Sequence, residues 1–145
     1  RKIRKKDLLQ HFEVNVIPTI LLVQILGESM NNKGWGRILI SSSIGVKFGG
    51  GKSSFCYSMT KYCSELIPSV SKKWSQRNVL YNVLRIGFTN TSSTRKINKN
   101  LKSREQLIPM KRSAKPDEIA EMVYWLCSEE NTYVTGQVLS ISGGE

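Results

Sequence analysis

Tyr57 and Lys61 stand four residues apart in Tyr57-Ser58-Met59-Thr60-Lys61. On a helix that spacing puts both side chains on one face, with Cβ atoms roughly 5–6 Å apart. A phenol titrates at about 10 in water, too high to trade protons readily at neutral pH, and a neighbouring ammonium favours the phenolate. A lysine in this position can do that and still reach a ligand hydroxyl. Taken alone the pair is weak evidence, because simple surface pairing produces the same spacing.

A second candidate fails on register. Gly51-Lys52-Ser53 follows a strand and precedes a helix, as in a phosphate-binding G-x-x-x-x-G-K-[ST] loop. That loop requires glycine at position 46, where Val46 stands. Its amides could not converge on phosphate, so nucleotide hydrolysis is not expected. The 3 cysteines (Cys56, Cys63, Cys127) show no C-x-x-C spacing, and with His11 as the 1 histidine they form no metal-ligand set. Reduced thiols suit a cytoplasmic protein, and Cys56 beside Tyr57 reads as a small packed side chain.

The elements that must position Tyr57 and Lys61 follow from the hydrophobic pattern. Residues 7–31 read as a helix disturbed near Asn15 by Pro18. Residues 37–42 read as a short buried strand with a polar end, and residues 45–52 as a glycine-rich loop. Ser54 opens a helix carrying Tyr57 and Lys61 to about residue 74. Residues 79–86 form a second strand, 89–100 a polar basic loop or short helix, and 137–141 a third strand. Pro116-Asp117-Glu118 starts a helix reaching about residue 128, with proline in the first turn and acids at the positive end. Alternating helix and strand imply an α/β fold with a parallel sheet covered on both faces, in a single domain.

With 145 residues, 39% hydrophobic, the chain can bury a core. Its 22 Lys and Arg against 11 Asp and Glu give a net charge of +11. The cations cluster at residues 1–6 and 95–104, with Lys111, Arg112 and Lys115 beyond. Neither cluster is interleaved with the aromatics that base stacking needs, so nucleic acid is not the expected partner. The apolar run 14–26 is interrupted by Asn15, Pro18, Thr19 and Gln24 and is too short to cross a bilayer.

Context gives the Tyr-x-x-x-Lys pair its meaning. Gly36-Arg37-Ile38-Leu39-Ile40-Ser41-Ser42 precedes it, Phe12-Glu13-Val14-Asn15-Val16 lies upstream, and Asn82-Val83-Leu84-Arg85-Ile86-Gly87 with Thr91 follows. Pro109-Met110-Lys111-Arg112, Lys115-Pro116-Asp117-Glu118, Trp125-Leu126-Cys127-Ser128, Tyr133-Val134-Thr135-Gly136-Gln137 and Ser142-Gly143-Gly144 then occur in order. From about residue 7 to 145 the chain resembles the short-chain dehydrogenase/reductase family, in its 3-oxoacyl-acyl-carrier-protein reductase flavour. Ile86 departs from the family's N-x-V-x-P-G stretch, where proline is usual.

The resemblance implies a Rossmann-like, doubly wound, three-layer sheet, of which this chain holds strands 5, 6 and 7 and their helices. It implies NAD or NADP as cofactor, and a small carbonyl or secondary alcohol substrate, acidic or carrier-bound. Tyr57 would be the general acid or base, Lys61 would favour its phenolate and bind the nicotinamide ribose, and Ser42 would hold the reacting oxygen. Ser41 and Ser43 flank Ser42 closely enough to leave open which hydroxyl points inward. Asn15 would hold a relay water. Ile86, Gly87, Thr89 and Thr91 would seat the nicotinamide. Each residue also has a plainer reading: Ser42 as a strand-end serine, Asn15 as a polar residue beside Pro18, Thr91 as part of a chance Asn90-Thr91-Ser92 sequon.

The family's glycine-rich cofactor turn lies upstream of everything matched here. This chain is therefore expected to be the C-terminal portion of a fold of roughly 250 residues, inactive alone, with the edge of its first strand bare. The alternative is a non-catalytic remnant that serves only to oligomerise or bind. A homodimer or homotetramer would form through the helices at 7–31 and 55–74.

Overall fold

The computed structural model describes residues 3–51, 54–66, 72–97 and 100–145. Lys52 and Ser53 of the glycine loop, Arg1, Lys2 and Lys99 of the basic clusters, and positions 67–71 of the expected long helix lie outside them.

Pro18 divides the first helical stretch in two. It has no N–H for the carbonyl four residues back, so the ladder lapses at Val16 and α1 (Lys5–Asn15) gives way to α2 (Ile17–Lys33). The hydroxyl of Thr19 takes up the slack by donating to the Asn15 carbonyl at 2.8 Å. Gly34, at φ 76°, ends α2 in the left-handed conformation that glycine adopts without strain. Together, Lys5–Lys33 are long and apolar enough to cross a membrane, which the interrupted run 14–26 did not suggest. Here the broken pair is a cover: α1 packs on the Tyr57 helix and α2 on the sheet.

Three parallel strands form that sheet: β1 (Gly36–Ser43), β2 (Val79–Ile86) and β3 (Val138–Ile141), in spatial order β1-β2-β3. β2 is central, and its residues from Val79 to Leu84 are buried, as a strand covered on both faces requires. The register pairs Ile38 with Tyr81 and Ile40 with Val83. These four lie beneath Val23 of α2 and the Trp74 ring, forming the core on that face. α6 (Pro116–Cys127) covers the other face, burying Ile119 and Leu126. Among the described residues β1 has no second neighbour, so its outer edge is unpaired.

The helix bearing Tyr57 is shorter than expected. α3 (Phe55–Glu65) ends at Glu65, and Lys72–Arg77 form a 3₁₀ turn instead of its continuation. A second 3₁₀ turn, Ile44–Phe48, fills part of the glycine loop, with Ser43 accepting the Gly45 N–H at its start. The polar stretch after β2 holds α4 (Ser92–Ile97) and is followed by α5 (Leu101–Glu105).

Gly27 shows how tightly α2 lies on the core. A Cβ there would stand 2.0 Å from Cη2 of Trp74. Alanine is favoured over glycine in a helix by about 1 kcal/mol, but overpacking costs about 1–3 kcal/mol. Gly27→Ala is expected to destabilise the fold by about 1 kcal/mol, read as a lower urea midpoint at unchanged slope. A raised midpoint would mean that the Trp74 ring swings clear.

Candidate active site

The parallel strands all end on one side, where ligands bind in sheets of this kind. A cleft of about 490 Å³ opens there, its walls including Ser43, Tyr57, Gly87, Thr89, Thr91 and Arg104. Tyr57, on the first turns of α3, is 38% exposed, and no hydrogen bond of its hydroxyl occurs among the described residues. One turn on, Lys61 lies with Nζ 5.8 Å from the Tyr57 ring centroid. The same ammonium donates to the Ser41 carbonyl at 2.8 Å, which fixes it against the unpaired edge of β1. Burial pulls the Lys61 pKa below the ordinary lysine value.

The serines separate by strand alternation. Ser42 is 2% exposed and donates its hydroxyl hydrogen to Glu65 Oε1 at 2.6 Å. Although it reaches the cleft wall, that proton is committed beneath α3, so the expectation that Ser42 holds the reacting oxygen does not match its geometry. Ser43 points to the opposite face, is half-buried, and uses one lone pair to accept the Gly45 N–H at 3.2 Å. Its hydroxyl hydrogen has no partner among the described residues.

Glu65 is a residue that the sequence reading missed. Its carboxylate also accepts from Arg85 Nε at 2.9 Å and Nη2 at 2.7 Å, a bidentate pair joining the end of α3 to β2. The Glu65 side chain is 4% exposed and that of Arg85 25%. The pairing raises the Arg85 pKa further above its usual range. The available signal was Arg85 itself, since a cation in a strand buried on both faces needs a partner.

Asn15 does not line the cleft. Its Nδ2 donates to Thr60 Oγ1 at 3.0 Å, and Thr60 in turn donates to the Tyr57 carbonyl at 2.9 Å, so Asn15 braces the turn that carries Tyr57. Ile86 and Gly87 form the strand end at the cleft. At Gly87 a Cβ would stand 2.6 Å from the Ser142 Cα, so this close approach of two backbones demands glycine. The Thr89 hydroxyl donates to the Gly87 carbonyl at 3.1 Å, and Thr91 exchanges hydrogen bonds with Thr94, which stiffens the wall. Among the described residues no cluster of metal-ligating side chains occurs.

Comparison with known proteins bears on the family and the fold. Residues 1–145 match a family model described as enoyl-(acyl carrier protein) reductase. The 3-oxoacyl-[acyl-carrier-protein] reductase FabG of Aquifex aeolicus is 37% identical over 136 residues, which are 91% of this chain and 54% of that protein. A 3-oxoacyl (acyl-carrier-protein) reductase of Agrobacterium tumefaciens, solved with NADP bound, superposes with a TM-score of 0.89 at 26% identity, over 99% of this chain and 57% of that one. A protein described as of the short chain dehydrogenase/reductase family superposes at 0.87, with 28% identity, over 99% and 59% respectively. The chain thus spans little more than half the length of these relatives.

Removing one partner of a buried ion pair costs far more than replacing both. Arg85→Met should destabilise the fold by about 3–5 kcal/mol by stranding the Glu65 carboxylate. The double variant Arg85→Met/Glu65→Leu should recover most of that loss in denaturant unfolding. Equal losses in the single and double variants would show that the pair contributes packing and not charge compensation.

Proposed function

The chain belongs to the short-chain dehydrogenase/reductase family, and we propose that it carries the catalytic portion of a nicotinamide-dependent reductase of carbonyl substrates, 3-oxoacyl groups foremost. The observation that carries the reading is Tyr57, in the cleft with an unengaged hydroxyl and the Lys61 ammonium beside its ring. The residues present suit the nicotinamide end of NAD or NADP. Thr89, Thr91, Ile86 and Gly87 supply hydroxyls and backbone at the strand ends, and Lys61 supplies a fixed cation. When bound, the cofactor supplies or accepts a hydride.

The chain's own residues would then move the proton and hold the oxygen. Tyr57 donates its phenolic proton to the substrate oxygen as negative charge develops there, or takes the proton back in the oxidation direction. The Lys61 ammonium favours the resulting phenolate. Ser43 donates its free hydroxyl hydrogen to the same oxygen, which stabilises charge where it forms. Ser42 acts instead through Glu65, by holding α3 in place. The Asn15 carbonyl keeps a lone pair beyond its bond to Thr19 and would hold a water at the break between α1 and α2.

The substrate's delivery has a second support. Arg95, Lys96, Lys102 and Lys111 are exposed on and beside α4 and α5, next to the cleft. Cations there fit an acidic carrier that presents an acyl group. Exposed Val14, Ile17, Leu21 and Ile25 on the paired helices, with Tyr62 and Leu66 near the end of α3, support assembly as a dimer or tetramer. In this reading the chain is the C-terminal part of one cytoplasmic domain.

Two experiments on the protein as its gene encodes it test these assignments. Tyr57→Phe should abolish turnover with little loss of folding, and Ser43→Ala should lower kcat by about 10²-fold or more. Ser42→Ala should leave kcat nearly intact and cost about 1 kcal/mol of stability. Full activity of Tyr57→Phe sinks the enzyme reading, and a Ser42→Ala variant that folds yet is dead exchanges the serine roles. Reversing Lys96, Lys102 and Lys111 to glutamate should raise KM for a carrier-bound substrate severalfold and leave a small free ketone unaffected. An unchanged KM for the carrier-bound substrate removes the carrier.

A further inference from the structure

A second cavity, of about 150 Å³, shares Gly87 and Phe88 with the cleft and otherwise has its own walls. Phe88, Ile108, Met110, Ala114 and Ile141 give it an apolar lining. Ile108 is 2% exposed, whereas Met110 and the side chains of Arg112 and Glu118 reach solvent. Ile108 therefore lies deep, and the other three mark the mouth. The walls are tied together by backbone. The Gly87 N–H donates to the Ile141 carbonyl at 2.8 Å, the Ala114 N–H to the Phe88 carbonyl at 2.9 Å, and the Met110 N–H to the Gly143 carbonyl at 3.1 Å.

Polar groups of this lining are matched to one another. Arg112 Nη1 and Nη2 donate to the two oxygens of Glu118, each at 2.7 Å. The Ser142 hydroxyl donates to the backbone oxygen of Glu145 at 3.2 Å. An ordered water needs about two to four polar partners, and the groups just named are already bonded. Atoms lining an empty space lack dispersion contacts on one side, and apolar cavities of roughly this size stay dry and take up benzene or xenon. We propose that this cavity is a binding site, distinct from the cleft, for an uncharged hydrocarbon group of about six carbons, a phenyl ring or short alkyl chain. The absence of charge follows from the mouth. Glu118 already compensates Arg112, so a charged ligand would lose its hydration without gaining a free partner.

The test titrates benzene into the protein as its gene encodes it and follows methyl resonances by NMR. Those of Ile108, Met110 and Ile141 should shift together and saturably, with a Kd of about a millimolar, well short of the ceiling for so small a ligand. The Met30 methyl, in the open apolar groove between α2 and β1, should not follow them. Ala114→Leu should fill the space and abolish the shifts. Should that variant fail to fold, Ile108→Val enlarges the cavity instead and should favour p-xylene over benzene severalfold. Benzoate and benzylammonium should each bind about tenfold more weakly than benzene, or worse. The proposal is overturned by the absence of saturable shifts at the three methyls, by an equal response in folded Ala114→Leu, by an unchanged preference in Ile108→Val, or by a charged probe that binds as tightly as benzene. The readout uses neither cofactor nor turnover, so a protein that reduces nothing can still uphold this site.

Discussion

One carboxylate fixes where the Tyr57 helix lies on the sheet. Glu65 ends α3, and its two oxygens accept from Ser42 on β1 and from Nε and Nη2 of Arg85 on β2. A helix laid on a sheet by apolar contact alone can slide, because dispersion and hydrophobic burial have little directionality. Three short, directed bonds from two strands remove that freedom at the far end of α3. At mid-helix the Asn15–Thr60 bond ties α3 to α1, and the next residue, Lys61, reaches the Ser41 carbonyl. Tyr57 and Lys61 therefore sit on a helix pinned at three points, at the open end of the strands.

The same logic explains why motifs far apart in the sequence belong together. Asn82, at the centre of β2, is 1% exposed. Its Nδ2 donates to the Val134 carbonyl at 2.7 Å, and its Oδ1 accepts the Gln137 N–H at 3.1 Å. Asn131 donates to the Leu126 and Val134 carbonyls, and Thr135 accepts the Tyr81 N–H. The loop from α6 to β3 has no ladder of its own, so these side chains satisfy backbone groups that burial would otherwise strand. Asn82 and the Tyr133–Gln137 stretch are thus two halves of one hydrogen-bonded joint, and that joint aligns β3 beside β2.

What could be read from the sequence was what local rules determine. The parallel sheet followed from alternating periodicities, the break near Asn15 from Pro18, and the start of α6 from Pro116-Asp117-Glu118. At that start the Arg112 guanidinium and the Lys115 N–H hold the Glu118 carboxyl at about 2. The Tyr57–Lys61 face was legible because one helical turn fixes it. The serine register was not, since a shift of one residue in a strand exchanges the two faces. Ser41-Ser42-Ser43 offers a hydroxyl at every step, so only the carboxylate waiting beneath Ser42 distinguishes them. Glu65 and Arg85 were invisible as a pair because their contact depends on how α3 crosses β2. The end of α3 at Glu65 had a local signal that was overlooked: Pro68 stands three residues on, and a proline stops a helix in the turn before it.

The cleft is best understood by asking which of its polar groups are still available. The Ser42 hydroxyl donates a hydrogen bond to Glu65, that of Thr89 to the Gly87 carbonyl, and that of Thr94 to the Thr89 carbonyl. Lys61 already leans on the Ser41 carbonyl. Such committed groups set shape and field, because moving them costs a bond already made. The Tyr57 hydroxyl and the Ser43 proton, from two different elements of the cleft lining, remain uncommitted among the described residues. A ligand entering there meets a wall of committed groups and two donors still free to move toward it.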